Sequence, residues 1–173
     1  MDLKEKIRSI PDYPKQGVLF KDITTLLKDK EAFKRVIDTI CFSFQDEIDL
    51  VVSMESRGFI VGAPVAYKLG AGFVPARKKG KLPAKTVSIE CENEYAKEVF
   101  ELHLDSIQQG QKVLIVDDLL ATGGTAQAIE NLIGKLGGQV VGFSFLMELP
   151  FLKGREKIKN NNIFSLLKYE SGE

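Results

Sequence analysis

The stretch KVLIVDDLLATGGT, Lys112 to Thr125, decides the fold. Its first five residues are apolar after the lysine, rich in β-branched side chains and without polar alternation. That is the pattern of a short strand covered on both faces. Two acids follow, Asp117 and Asp118, and then a turn of small residues, Ala121-Thr122-Gly123-Gly124-Thr125. Beyond it, Ile129, Leu132, Ile133 and Leu136 recur at helical spacing, and Gly137 stops the pattern. The unit reads as strand, turn and helix, the helix spanning Thr125 to Leu136.

The same alternation extends in both directions. Leu50 to Met54 (LVVSM) is a second buried strand, with Ser56 placed to cap a helix from Gly58 to Leu69 that contains Pro64 and ends at Gly70. Gly72 to Ala76, Gln139 to Met147 and Phe164 to Tyr169 read as further strands. Asp29 is the expected N-cap of a helix whose buried face carries Phe33, Val36, Ile37, Ile40, Cys41 and Phe44. At the N-terminus, Asp2 to Ser9 is expected as a short helix ended by Pro11 and Pro14, and Gly17 to Ile23 as an extended segment. Thr86 to Cys91 and Val99 to Asp105 read as strands joined by a mobile polar loop, Glu92 to Lys97. In the second, Phe100, Leu102 and Leu104 alternate with Glu101, His103 and Asp105, which predicts one wet face. Strands alternating with helices define an α/β domain with a mainly parallel central sheet flanked by helices and right-handed connections. The 173 residues fit one domain. The arm up to about residue 28 and the C-terminal tail are expected to form a small hood beside the sheet.

Composition narrows the possible functions. Lys plus Arg equals Asp plus Glu, 24 against 24, so there is no electrostatic excess to recruit a nucleic-acid backbone. The two cysteines, Cys41 and Cys91, are far apart, and His103 is the single histidine, so a Cys/His zinc site cannot be assembled. The N-terminal sequence lacks the apolar stretch of a signal peptide, and no apolar run approaches the ~20 residues of a membrane span. A cytoplasmic protein with no membrane and no nucleic-acid partner is expected.

In parallel α/β sheets, ligands bind beyond the carboxyl ends of the strands, where Asp117 and Asp118 stand. The residues from Ala121 to Thr125 let backbone N–H groups turn around an anion, and the helix N-terminus adds partial positive charge. Thr122 and Thr125 add hydroxyl donors. This is the chemistry of a phosphate monoester site. Two carboxylates beside it would repel that ligand unless they face its hydroxyls, and a sugar diol supplies such donors. A phosphorylated ribose presents both ends. No GxxxxGK[ST] occurs, and Gly70-Ala71-Gly72 runs into a strand with Pro75 at the third glycine position of a dinucleotide fingerprint, so neither nucleotide motif applies.

The segment VLIVDDLLATGGT, 113–125, resembles the 5-phosphoribosyl 1-pyrophosphate (PRPP) motif of the type I phosphoribosyltransferases. Further stretches resemble the adenine phosphoribosyltransferase branch of that family: 8–14 (RSIPDYP), 17–23 (GVLFKDI), 55–59 (ESRGF), 77–83 (RKKGKLP) and 152–156 (LKGRE). The resemblance covers nearly the whole chain. It implies transfer of the phosphoribosyl group of PRPP to adenine, giving AMP and pyrophosphate in purine salvage, with Mg²⁺ held mainly through substrate and water, in a homodimer. No metal ligand from the protein is expected.

Residue roles follow from the same resemblance. Asp117 and Asp118 would hold the ribose hydroxyls, and Ala121, Thr122, Gly123, Gly124 and Thr125 the 5′-phosphate. Ser56 and Arg57 would meet pyrophosphate, as would Arg77, Lys78 and Lys81, some of these from the partner subunit. The peptide bond before Ser56 is expected to be cis. Glu94 would be the catalytic acid/base, Tyr95 would help close the loop, and backbone groups around Leu19 and Lys21 would read adenine. Lys21 stands where the family often has Arg, and Ala96 where Gly is frequent. Two alternatives differ in kind. A 6-oxopurine enzyme would carry an Asp in the phosphate turn, where this chain has Ala121; a non-catalytic PRPP-sensing regulator would need a nucleic-acid-binding face or appendage.

Overall fold

The computed structural model describes residues 2–44, 47–92, 97–160 and 162–171. It divides into two compact units, residues 1–39 and 40–173. In the first, strands β1 (Arg8–Ile10) and β2 (Phe20–Asp22) pair antiparallel, with Ser9 opposite Lys21. The helix expected over residues 2–9 is instead a single 3-10 turn, Lys4–Lys6, followed by β1. The reason is tertiary. Ile7 turns extended, and pairing with β2 is reinforced by Arg8, whose Nε and Nη2 donate to Asp22 Oδ2 at 3.1 and 2.5 Å. Asp22 Oδ1 also accepts from the Thr24 N–H at 2.9 Å, at the start of the one-turn helix α1 (Thr24–Leu27), which periodicity did not reveal. These donors, the Arg8 side chain foremost, lower the Asp22 pKa to about 2. Helix α2 (Lys30–Ser43) starts as predicted: Asp29 Oδ1 accepts from the N–H groups of Glu31 and Ala32 at 3.2 and 3.1 Å.

Among the described residues, the second unit contains a seven-stranded sheet. Its strands are β3 (Leu50–Met54), β4 (Gly72–Lys78), β5 (Thr86–Glu92), β6 (Lys97–His103), β7 (Lys112–Leu120), β8 (Gln139–Glu148) and β9 (Ile163–Lys168), in the spatial order β5-β6-β4-β3-β7-β8-β9. The run from β4 to β9 is parallel, while β5 and β6 form an antiparallel hairpin on β4. Helix α3 (Arg57–Leu69) packs on β3 and β7, and α4 (Gly124–Lys135) on β5 and β8. The core gathers Val52, Val113, Ile115, Ile129, Leu132, Phe143 and Phe145, all at or near zero exposure.

Three differences from the sequence reading have physical causes. The tail joins the main sheet rather than a hood, because β9 pairs in register with β8 from Phe143↔Ile163 to Glu148↔Lys168. Strand β7 does not stop at Val116 but continues to Leu120, since β8 goes on pairing with it as far as Leu120↔Glu148. Finally, the polar face expected on β6 is not wet at Glu101, which is 7% exposed. β6 is flanked on both sides; Glu101 lies opposite Arg77 of β4 and accepts the Gly80 N–H at 3.0 Å.

Candidate active site

Parallel pairing places the carboxyl ends of β3, β4 and β7 on one rim. Met54 is opposite Ala76, Ser53 is opposite Val116, and the Glu55 N–H donates to the Ala76 carbonyl at 3.0 Å. That edge therefore carries Ser56 and Arg57 just past β3, Arg77 and Lys78 as the last residues of β4, and Asp117 and Asp118 within the last stretch of β7 before the turn.

Asp117 Oδ1 accepts the Asp118 N–H at 2.9 Å. Room for it is made by Gly58: a Cβ there would overlap Asp117 Oδ1 and lie 3.4 Å from its Cγ. Asp118 is 5% exposed, and its Oδ2 lies 2.9 Å from Arg57 Nε in an ion pair that lacks hydrogen-bond alignment. Burial, and then the neighbouring negative charge, push the Asp117 pKa well above the ordinary carboxylate value. Burial also raises Asp118, with Arg57 pulling the other way. Two acids are thus held close together with little solvent, where a ligand's donors would relieve both.

The small-residue turn has the geometry its composition predicts. Gly123 adopts φ 77°, ψ −3°, and α4 starts at the next residue, one position before Thr125. The first-turn amides of α4, Gly124 to Ala126, have no acceptor within their own helix by the geometry of any helix start. The Cys91 thiol is raised by burial and partly offset by a hydrogen bond with the Thr125 side chain, so this hydroxyl already has a partner. Both cysteines are free thiols; Cys91 is buried and Cys41 partly so.

On the basic side, Arg77 Nε lies 3.3 Å from Glu55 Oε2, Lys81 pairs with Glu55 Oε1, and the Lys78 N–H donates to Glu55 at 2.9 Å. Lys78 Nζ reaches Glu98 at 2.5 Å. Burial would raise the Glu55 carboxyl, but these donors outweigh it and hold it below its ordinary value. Glu55 has no role in the sequence reading, although an acid directly after a buried strand and before Ser56-Arg57 is a visible signal. Glu98 was likewise missed. Ser56 occupies the N-cap position of α3, but its hydroxyl makes no capping bond, contrary to expectation, and the helix begins at Arg57 rather than Gly58. The Glu55–Ser56 peptide bond is cis, as expected.

Leu19 and Lys21 belong to the N-terminal unit. Leu19 is 43% exposed, and Lys21 Nζ donates to Ser9 Oγ at 3.0 Å across the β1–β2 pair. Glu94 and Tyr95, with Ala96, lie outside the described residues. His103 is less superficial than expected: its Nε2 is buried without a hydrogen-bond partner.

Paired acids near the end of a central strand, a glycine turn opening a helix and a rim of cations define a class of protein. The model of the phosphoribosyl transferase domain matches residues 22–168, and the chain belongs to the type I phosphoribosyltransferase family. Within the family it falls among the adenine phosphoribosyltransferases. It is 59% identical to the adenine phosphoribosyltransferase of Alkaliphilus metalliredigens over 98% of this chain and 100% of that one. The crystal structure of the Thermoanaerobacter pseudethanolicus adenine phosphoribosyltransferase superposes with a TM-score of 0.93 at 51% identity, covering 96% of this chain and 98% of the other. The Saccharomyces cerevisiae enzyme, complexed with an imino-altritol bisphosphate and adenine, gives 0.90 at 38%, covering 95% and 96%.

Proposed function

We propose that this chain transfers the 5-phosphoribosyl group of PRPP to adenine, releasing AMP and pyrophosphate in purine salvage. The observation that carries the reading is the Asp117–Asp118 pair, Asp118 buried and Asp117 partly so and both raised, in β7 just before the Gly123 turn, on the rim that also bears Arg57. The yeast relative's complex with adenine and a bisphosphate supports the same ligand classes.

In this reading, Ala121 to Thr125 hold the 5′-phosphate, and Asp117 and Asp118 accept from the ribose hydroxyls. Those donors stabilise the ionised acids and offset their burial. Ser56, Arg57, Arg77, Lys78 and Lys81 take the pyrophosphate. Binding it requires Arg57 to leave Asp118, and Arg77 and Lys81 to leave Glu55. The ground-state ion pairs keep these cations on the rim until a more strongly charged partner arrives. Reaction at the anomeric carbon places positive charge on the ribose and negative charge on the leaving group, so cations on one side and carboxylates on the other favour the transition state. Adenine N9 attacks as a proton leaves the ring, and Glu94 is the group that takes it; Tyr95 helps close the loop and exclude water. Backbone groups around Leu19 and Lys21 read the base.

The hard carboxylate oxygens of Asp117 and Asp118 suit Mg²⁺, which would be held mainly through PRPP, pyrophosphate and water and would supply charge neutralisation to the leaving group. Among the described residues no group of three potential ligands could hold a metal by itself. A homodimer is proposed to form over the exposed apolar stripe of α3, where Ile60 is 46% and Tyr67 90% exposed. The proposed setting is cytoplasmic, and no helix of the described residues is long and apolar enough to cross a membrane.

The test is to incubate the protein with PRPP, Mg²⁺ and each of adenine, hypoxanthine, guanine and orotate, and to measure nucleotide formed. Product with adenine alone is expected; product with hypoxanthine or guanine would assign the chain to 6-oxopurines, and none with any base would remove the activity. Glu94→Ala should lower kcat by about 10²–10⁴-fold while changing PRPP affinity little; equal losses in both would take Glu94 out of the acid/base role.

A further inference from the structure

The segment after β8 has no part in the chemistry above, yet it touches the phosphate turn from behind. Glu148 ends β8 opposite Leu120, the last residue of β7 before the turn. The Leu149 N–H then donates to the Leu120 carbonyl at 2.9 Å, a 3-10 turn covers Pro150–Leu152, and Lys153 takes the left-handed conformation at φ 54°. That reversal brings Gly154 against the phosphate turn. A Cβ on Gly154 would overlap the Ala121 carbonyl oxygen and come within 2.9 Å of Leu120 Cδ1 and 3.1 Å of Gly123 N. The contact is reciprocal, because a Cβ on Gly123 would overlap the Gly154 carbonyl oxygen and sit 2.9 Å from its carbon. Two backbones are in direct contact, and neither has a flexible side-chain tip that could move aside.

The strap is pinned on both sides of this contact. Arg155 grips Glu148 with two parallel bonds of 2.7 Å, Nε to Oε1 and Nη2 to Oε2, and reaches β9 through the Ile163 carbonyl at 3.1 Å and Ser165 Oγ at 3.2 Å. Glu148 is 4% exposed; burial would raise it, but the Arg155 bonds outweigh burial and keep it ionised below its ordinary value. A bidentate pair of this kind fixes orientation as well as distance. Further on, Gln127 Nε2 of α4 donates to the Lys157 carbonyl at 2.8 Å, and the Lys159 N–H donates to Glu130 at 3.2 Å. The strap is therefore tied to the strand before the phosphate turn and to the helix after it.

We propose that residues 149–159 form a backing strap that sets the curvature of the phosphate turn, with Gly154 and Arg155 as positioning residues for the 5′-phosphate of the substrate. This deepens the reading of residues 121–125 as the phosphate site and rests on it. The amides of the turn converge on an anion only if the turn's outer side is held at the Gly154 peptide. A shift of a few tenths of an ångström there alters their common focus but leaves the cations on the rim untouched.

The consequence is a split between ligands. Gly154→Ala should weaken ribose 5-phosphate binding, measured by calorimetry, by tenfold or more and raise the KM for PRPP similarly. Affinity for pyrophosphate should stay within twofold. Arg155→Lys keeps the charge but cannot form both parallel bonds; it should weaken ribose 5-phosphate binding by about threefold with the same selectivity, and it decides the matter if Gly154→Ala does not fold. Equal loss of ribose 5-phosphate and pyrophosphate binding would reduce the strap to general stability and overturn the proposal. So would ribose 5-phosphate binding unchanged in either variant. If the unaltered protein fails to bind ribose 5-phosphate, the phosphate-site reading itself falls, which is a separate and distinguishable result.

Discussion

Asp117 is costly to the free protein and, in the proposed reading, useful to the bound one. Its ionised form is opposed by burial first and by Asp118 second. Because its folded-state pKa is raised, its contribution to stability is complete below the ordinary value of 3.8 and is lost as pH rises through the elevated one. Asp117→Asn removes that cost without changing shape. The variant should gain on the order of 1 kcal/mol at pH 8, about 2–4 °C in Tm, and the gain should shrink toward pH 5. PRPP binding should weaken by about 10–100-fold, since a charge-assisted acceptor of the ribose diol becomes a neutral amide. Scanning calorimetry at the two pH values and a PRPP titration check both halves. A variant less stable than the parent at pH 8 would contradict the assignment of a destabilising buried charge.

At the scale of elements, α3 packs tightly on β3. A Cβ on Gly62 would overlap Ser53 Oγ and lie 2.9 Å from Ser53 Cβ, and Ser53 is fully buried with no hydrogen-bond partner for its hydroxyl. Gly62→Ala should cost about 1–3 kcal/mol by overpacking, while Ser53→Ala should be neutral or stabilising because it deletes an unsatisfied buried hydroxyl. The double variant should lose less than the sum of the two, a coupling measurable by urea denaturation. This juxtaposition also shows what the sequence could and could not reveal. The LVVSM and KVLIV runs announced buried strands through local composition, and the turn at 121–125 announced its glycine geometry. The extension of β7 to Leu120 and the sheet membership of β9 depend on pairing with β8, and pairing between distant segments leaves no local mark. The same holds for the site. Arg57 and the two acids are legible from strand ends, whereas Glu55 as the anchor of Arg77 and Lys81 needs the β3–β4 register, and the Gly154 contact needs the whole path of the strap.

At the scale of the whole molecule, the exposed side of α3 carries Ile60, 46% exposed, and about two turns further Tyr67, 90% exposed, on a helix whose opposite face buries Val61, Val65 and Ala66. Phe42, at the end of α2 in the same unit, is 76% exposed. Large apolar side chains this open on a protein with balanced charge favour self-association, and aromatic residues are the usual anchors of such contacts. Tyr67→Glu puts a charge where the proposed homodimer would bury an aromatic ring, and because the residue is solvated in the single chain, its substitution should leave Tm at low protein concentration unchanged. Sedimentation at micromolar concentration should show the parent as a dimer and the variant shifted to monomer. If part of the basic loop at Arg77 to Lys81 serves the partner's site, the monomeric variant should also lose turnover, with activity rising again at high concentration as dimers re-form. A Tyr67→Glu protein that stays dimeric would move the interface away from α3, and a monomer with full turnover would show that each chain completes its own site.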